Sequence, residues 1–547
     1  MKANYYLFLV CCLSGHDVLS QCYAPTASTI IDVNNAKALI TNNGSLWFDN
    51  GDAVYEIPDG GGASALFAGG IWIGAYDENN ILHTSGAAYC DGRKEGCDFS
   101  TGVLTNSTIT QNECELFDKI WVVTNYDVSH FISICEENGY PVEVDEIPDA
   151  ILDWPAKGNP FAKDVNDETL LITTDLAPFV DVDMDGIYNP TLGDYPSIHG
   201  DQCAFWVMND VGKEHSLTHG LPLGLEIHAM AYAFNYPGHL DNTTFYQYKF
   251  INKSDHDYTG MYIGKWVDVD LGCFNNDYIG CDTARDLGIV YNGTFPDDCY
   301  GGYFSEIPVV AIDFLYNSGL EGNNLMSSFN FYVNGGGSVQ GEPQNAFEFY
   351  NYLSGRWRDG SNITYGGDGF GGADNFPFMF PDEPSDSGGW SECSMNNAPG
   401  ERKFIMSSGP INLNSGQYLD FTYAVEAVFS ENFSPCPSFE EIQNCANYIQ
   451  AVYDNVINTK IQEVKNQSLN IYPNPFSDYC MIDLSSISDH ENLTIEIFNM
   501  QGVLMRSISD IRETKLKIER GNLSSGIYFY RLRNENEFLS QGKLIVN

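Results

Sequence analysis

The chain is written, from Leu39 to about Phe429, in short apolar or alternating runs separated by Gly, Asn, Asp and Pro, among them LFAGGIWIGAY, KIWVVTNY, EIHAMAYAF, TTFYQYKFIN and GMYIGKWVDVD. Runs of this length, rich in aromatic and β-branched residues and closed by turn formers, fit pleated strands and leave little room for helical bundles. The composition agrees: 33 Tyr, 33 Phe and 52 Gly favour sheets joined by Gly-rich turns. The expected class is mainly β, with stacked sheets in a large region. One helix is expected near its end, in CPSFEEIQNCANYIQAVYDNVINTK, where Ser438 and Glu441 form a capping box and Ile442, Cys445, Ile449, Val452 and Val456 an apolar stripe. At 547 residues the chain is long enough to divide into two or more domains.

Charge narrows the partners. With 74 acidic and 26 basic side chains the net charge is -48, which repels phosphate backbones and anionic membrane surfaces and excludes nucleic acid as a partner. Carboxylates in such excess suit divalent cations, although most acids on such a surface only solubilise it. The N-terminus carries Lys2, an apolar run from Tyr5 to Leu13 and a polar exit, the pattern of a secretory signal peptide over residues 1–20 with cleavage after Ser20. A lipidated Cys22 is the alternative. No run approaches the ~20 apolar residues of a spanning helix, so no transmembrane segment is expected.

Of fifteen cysteines, Cys11 and Cys12 fall in the leader, and the remaining thirteen enter an oxidising compartment, so disulfides are expected. Short separations suggest Cys90 with Cys97, Cys114 with Cys135, Cys273 with Cys281 and Cys436 with Cys445, and the odd count leaves a free thiol. The sequence contains no Cys-x-x-Cys pair, which argues against a zinc ribbon or a thioredoxin-like centre.

The polar tract Lys460 to Ser468 reads as a linker with a boundary near Asn466, dividing an exported region, 21–465, from a small domain, 466–547. The latter shows seven short strands, at LNIY, YCMIDL, LTIEIF, VLMRSI, LKIE, GIYFYRL and GKLIVN, with a hairpin turn from Asn499 to Gly502; this spacing predicts a β-sandwich. With YPNPF at 472–476, IFNMQGVLM, LSSGIYFYRL at 523–532 and the final GKLIVN, the segment resembles the C-terminal sorting domain recognised by the type IX secretion system. That resemblance implies engagement of the type IX machinery, export across the outer membrane, and surface attachment or release. Cys480 departs from the pattern, standing in a strand where an ordinary apolar residue is expected. The large region in turn resembles an uncharacterised family of exported proteins with the same tail, through YEIPDGGGASALFAGGIWIGAY, WPAKGNP, DVDMDGIYNPTLGDYP followed by GDQCAFW, DVDLGCFNNDYIGCD and ERKFIMSSGPINL. This second resemblance implies a location and no reaction.

Candidate chemistry concentrates in two acidic stretches. In DVDMDGIYNPTLGDYP, Asp181, Asp183 and Asp185 alternate and Gly186 supplies the turn that wraps carboxylates round an ion, a geometry suited to structural calcium. Ile187 offers a backbone carbonyl and Asn189 a side-chain oxygen. Leu192 stands where an EF-hand carries its bidentate Glu, and Asp194 is the substitute two positions on. An acidic surface turn is the alternative. In DVDLGCFNNDYIGCD, Asp268 and Asp270 share one strand face, with Asp277 and Asp282 on the returning segment. These four suit a second calcium site, a solvated face, or a carboxylate pair for glycoside hydrolysis. His215 and His219 have helical ligand spacing in a segment flanked by Gly and Pro, and Ser387 in DSGG lacks a partner histidine segment; both read as loop residues. The aromatics of NAFEFYNYLSGRWRDGSNITYGGDGF suit a sugar-stacking platform or, more simply, a β core. Two functions follow: a calcium-braced, non-enzymatic surface protein binding glycans or other surface partners, or a secreted hydrolase using carboxylates such as Asp268 and Asp270.

Overall fold

The computed structural model describes residues 22–90, 96–320, 322, 324–335, 337–429, 434–458, 469–485, 493–499, 504–521, 523–524, 526–533 and 538–546. The expected leader and the linker 460–468 lie outside the described residues, as does most of the hairpin turn 499–502. The chain divides into two compact units, residues 1–451 and 452–547.

The larger unit is built on two antiparallel sheets of nine strands each. The first centres on Ala68–Tyr76, Tyr258–Val269 and Arg402–Leu413. The second centres on Gln202–Asn209, Leu225–Ala233, Thr243–Asn252, Tyr418–Phe429 and Pro308–Asn317. Side chains alternate across a pleated strand, so TTFYQYKFIN sends Tyr246, Tyr248 and Phe250 into one continuous core, joined there by Phe421, Tyr423 and Val425 of the adjacent strand. From the other sheet come Ile71, Ile73, Ile263, Val267, Phe404 and Met406. Cross-sheet polar contacts fix the register of the two layers: Trp47 Nε1 donates to Tyr246 Oη at 2.8 Å, and the Tyr55 and Thr244 hydroxyls lie 2.9 Å apart. Lys265 is also in this core. It is fully buried, its Nζ faces the Trp47 and Tyr423 rings at 4.2 and 5.0 Å, and burial holds its pKa well below the usual lysine range.

The expected helix forms at Glu440–Val452, burying Ile442, Cys445 and Ile449. Ser438 Oγ accepts from the N–H of Glu440. The stripe does not run on to Val456, which is 62% exposed, because Tyr453–Ile457 is a π turn. Tyr453 and Ile457 of this turn are buried instead. Two further helices were read otherwise in the sequence. KIWVVTNY is a strand only over Trp121–Thr124. Thr124 and Asp127 then form a capping box that starts the helix Asn125–Asn138. Likewise NAFEFYNYL is a helix, Ala346–Leu353, capped by Asn345, with Phe349, Tyr352 and Leu353 buried. Trp357 is also buried, so much of this aromatic stretch is core, while Phe347, Tyr365 and Phe370 are exposed.

Disulfides join Cys22–Cys114, Cys90–Cys97, Cys273–Cys299 and Cys393–Cys436. Of the expected pairs, only Cys90–Cys97 is among them. Cys135, Cys281 and Cys445, expected as partners, are buried as free thiols, along with Cys203 and Cys480. Sequence proximity misled because helix and strand geometry turn these thiols into the core, while segments more distant in sequence bring the other three pairs to Cα separations of 5.9 Å.

The smaller unit holds all seven expected strands, in a three-stranded sheet centred on Tyr479–Asp483 and a four-stranded sheet centred on Leu493–Asn499 and Gly526–Arg533. Their inner faces meet in one apolar core that includes Ile482, Ile495, Ile497, Ile518, Leu532 and Leu544, so the unit is a small β-sandwich. Cys480 is fully buried in it, and burial pushes its thiol up to about 11, so the sulfur serves as an ordinary apolar group.

Candidate functional site

The loop 181–194 gathers three of its six expected donors. Ligand oxygens of Asp181, Asp183 and Asp185 all lie within 4.8 Å of one another. The wrap is local: Asp181 Oδ1 accepts from the N–H of Met184 at 2.7 Å and Oδ2 from that of Gly186 at 2.8 Å, while Asp185 Oδ1 accepts from that of Ile187 at 2.7 Å. Met184 and Gly186 take the left-handed backbone (φ 63 and 78) that this tight path requires. Of the other donors, Ile187 is exposed, and Asp194 and Asn189 turn to hydrogen bonds within the loop. Asp194, fully buried, clamps the two ends of the loop by accepting from Val182 and Asn189 N–H at 2.7 and 2.8 Å. Asn189 directs its oxygen to Thr191 N–H and Oγ1, starting the turn Pro190–Leu192. Burial, assisted by the Asp183 and Asp181 charges, outweighs those two N–H bonds and raises the Asp194 pKa.

The second acidic set divides in two. Asp268 is buried beside Tyr89, whose hydroxyl donates to its Oδ2, while its Oδ1 has no hydrogen-bond partner. Burial pushes Asp268 up to about 7, against the pull of Lys403 and the Tyr89 hydrogen bond. Asp270 is raised to about 8, by burial first and by the Asp268 charge second. Asp277 is wholly buried and held well above the carboxylate range by burial and then by Asp270; it accepts the Leu271 N–H at 3.3 Å through Oδ1, and its Oδ2 is unpartnered. Asp282 belongs elsewhere, with Arg285 Nη1 at 2.7 Å and Gln443 Nε2 at 3.0 Å. Among the described residues, no group with ligand atoms within 4.8 Å of one another includes any of these four.

Other sequence candidates take plain structural roles. His215 is buried with Nδ1 2.8 Å from Thr84 O and Nε2 2.7 Å from Asp210 O, so neither nitrogen is open to a metal. His219 sits in the turn before the strand Leu225–Ala233, with φ 52. Ser387 is exposed in a turn closed by Asp386 Oδ1 and the Gly388 N–H.

Sequence reasoning did not find a cleft of about 240 Å3 against the second sheet, on the face opposite the shared core. Phe205, Met230 and Leu176 give it apolar walls, and Ser197, His199, Gln247, Lys249 and Asp420 give it polar ones. Gln247 and Lys249 come from the polar half of the alternation in TTFYQYKFIN, the one signal that places them opposite the core. Lys249 Nζ lies 4.1 Å from the Tyr418 ring centre, and burial lowers the His199 pKa, favouring neutral imidazole.

The smaller sandwich decides location. Its segment from residue 470 to 547 matches the secretion system C-terminal sorting domain family. This segment is a type IX sorting domain. The protein is accordingly exported to the cell surface or the extracellular space. Among the described residues no helix is long and apolar enough to cross a membrane. No curated protein matches the chain. Among solved structures, a polysaccharide lyase aligns with 59% of this chain and 34% of its own length, at 9% identity and a TM-score of 0.16. The chain thus spans about a third of that enzyme, at a degree of superposition that assigns neither fold nor activity.

Proposed function

We propose that the exported region is a calcium-braced, non-enzymatic β-sandwich that binds glycans or other cell-surface partners, delivered by the type IX sorting domain. The observation that carries the reading is the cleft against the second sheet. Its apolar walls, formed by Phe205 and Met230 and flanked by the polar side chains of His199, Gln247, Lys249 and Asp420, match a sugar's mixture of C–H faces and hydroxyls. Its lining includes one carboxylate, Asp420, whereas glycoside hydrolysis by the common mechanisms uses two carboxyls about 5 to 9.5 Å apart. The calcium brace is supported by the three gathered carboxylates of Asp181, Asp183 and Asp185, which supply the hard oxygen donors that this ion takes.

Titration of the secreted protein with a panel of purified polysaccharides, followed by calorimetry, tests the binding reading. Gln247→Ala and Lys249→Ala are expected to weaken binding at least about tenfold, roughly 1.4 kcal/mol, without release of reducing ends. Binding that both variants leave unchanged removes the cleft from the function.

A second reading, a secreted hydrolase, is favoured by one observation: Asp268 and Asp270 are adjacent carboxyls raised to about 7 and about 8, the range of a general acid. Turnover on the same panel, abolished by Asp268→Asn or Asp270→Asn in a folded protein, would replace the first reading with this one.

A further inference from the structure

Four side chains from separate stretches of sequence converge at one edge of the first sheet. Asp77 and Glu78 lie in the turn after the strand Ala68–Tyr76, His83 in the strand Leu82–Gly86 that follows, and His256 in the loop between Thr243–Asn252 and Tyr258–Val269. Asp77 Oδ1 accepts the backbone N–H groups of Asn79 and Ile81 at 2.9 and 2.7 Å, which orients the carboxylate. Its Oδ2 stands 3.8 Å from His83 Nε2 and 3.9 Å from His256 Nδ1, and His256 Nδ1 is 3.1 Å from Glu78 Oε1. Ligand atoms of Asp77, Glu78 and His256 all lie within 4.8 Å of one another.

The second observation is the state of His83. Its side chain is more than nine-tenths buried, and its Nδ1 is 2.6 Å from the carbonyl oxygen of Pro222. A carbonyl only accepts, so Nδ1 carries a proton, while Nε2 faces Asp77 Oδ2 at 3.8 Å, too far for a hydrogen bond. A backbone carbonyl that fixes one imidazole nitrogen while the other points at a carboxylate is the outer support typical of a metal-ligating histidine. For a tetrahedral ion with bonds of about 2.0 to 2.1 Å, adjacent ligand atoms stand about 3.4 Å apart. The observed 3.1, 3.8 and 3.9 Å bracket that value.

We propose that Asp77, Glu78 and His256, with the buried His83 beside Asp77 as a fourth ligand drawn in by the ion, bind a divalent transition-metal ion of the Zn2+ type. Two imidazoles with carboxylates select such an ion over calcium, which takes oxygen ligands. The ion ties the loop around His256 to the turn at Asp77. Glu78, half exposed, closes the coordination from the solvent side.

The test uses the full secreted protein, stripped with a chelator and returned to excess calcium so that oxygen-only sites are occupied. Zn2+ is then titrated by calorimetry, and Co2+ by its visible d–d absorption. One equivalent of each is expected. His256→Ala and His83→Gln should each weaken Zn2+ binding at least tenfold and abolish the tetrahedral Co2+ spectrum, with Asp183→Ala binding as the parent does. Circular dichroism confirms that the variants fold, and His256, a third exposed on its loop, is the safer of the two. Absence of a Zn2+ equivalent, or a parent-like Co2+ spectrum in a folded His256→Ala protein, overturns the proposal and leaves these residues as hydrogen-bonded ion pairs.

Discussion

Lys265 Nζ lies 4.2 Å from the centre of the Trp47 ring, inside the sandwich, and no hydrogen-bond acceptor reaches it. The ring's negative face offsets part of the cost of burying the amine. The remainder is uncompensated, since burying a polar group without a partner costs about 1 to 3 kcal/mol in proteins. Methionine has similar length and no polar atom to satisfy. Lys265→Met is therefore expected to stabilise the larger unit by about 1 to 3 kcal/mol, read as a higher denaturant midpoint with an unchanged slope. A lower midpoint would show that the amine has a compensating role that its surroundings do not reveal.

A pH dependence follows from Asp268 and Asp270. Both folded values, about 7 and about 8, lie above the ordinary carboxylate value of 3.8, with burial the main cause. Between the unfolded and folded values the native state holds a proton that the unfolded chain has released. Stability from this source is complete below about pH 4 and lost as pH rises through about 7 and 8, at up to about 1.4 kcal/mol per pH unit for each group. The two charges interact, so the pair titrates jointly. Asp268→Asn keeps an acceptor for Tyr89 and removes one of the two titrations. Denaturant melts from pH 5 to 8 should show a shallower decline for the variant than for the parent, and parallel curves would contradict the assignment.

Much of this fold is legible in the alternation of single strands. Tyr246, Tyr248 and Phe250 declare one face of their strand, Gln247 and Lys249 the other, and the seven strands of the sorting domain are as plain. What the sequence hides is set by contacts between distant segments. Cys22 and Cys114 are 92 residues apart, and His256 meets Asp77 and His83 only because the strand Tyr258–Val269 pairs beside Ala68–Tyr76. Local cues misled at Asn125–Asn138, where a β-branched run leads straight into a helix whose one announcement is the Thr124 and Asp127 capping box. The acidic loop was partly legible. Its D-x-D-x-D-G spacing identifies Asp181, Asp183 and Asp185 as a group, but Asp194 and Asn189 are drawn to backbone N–H groups in a way that spacing does not encode.

The calcium brace is open to a direct measurement. A catalytic metal needs an open coordination position and acid or base groups beside it, whereas this loop offers oxygen donors wrapped closely by their own backbone. Asp194 joins the two ends of the loop through backbone N–H groups, so calcium at the three gathered carboxylates adds to a turn held by other bonds and its contribution should be modest. For extracellular calcium modules with dissociation constants of about 0.1 to 1 mM, binding at ~1 mM calcium contributes roughly 0.4 to 1.4 kcal/mol. Calcium should therefore raise the unfolding temperature of the larger unit slightly, and Asp183→Ala should remove most of that gain while leaving export intact, because the sorting domain lies at residues 470–547. Asp194→Ala should lower stability with or without calcium, since it unties Val182 from Asn189. Melting curves that respond to neither chelator nor Asp183→Ala would reduce the segment to an acidic turn.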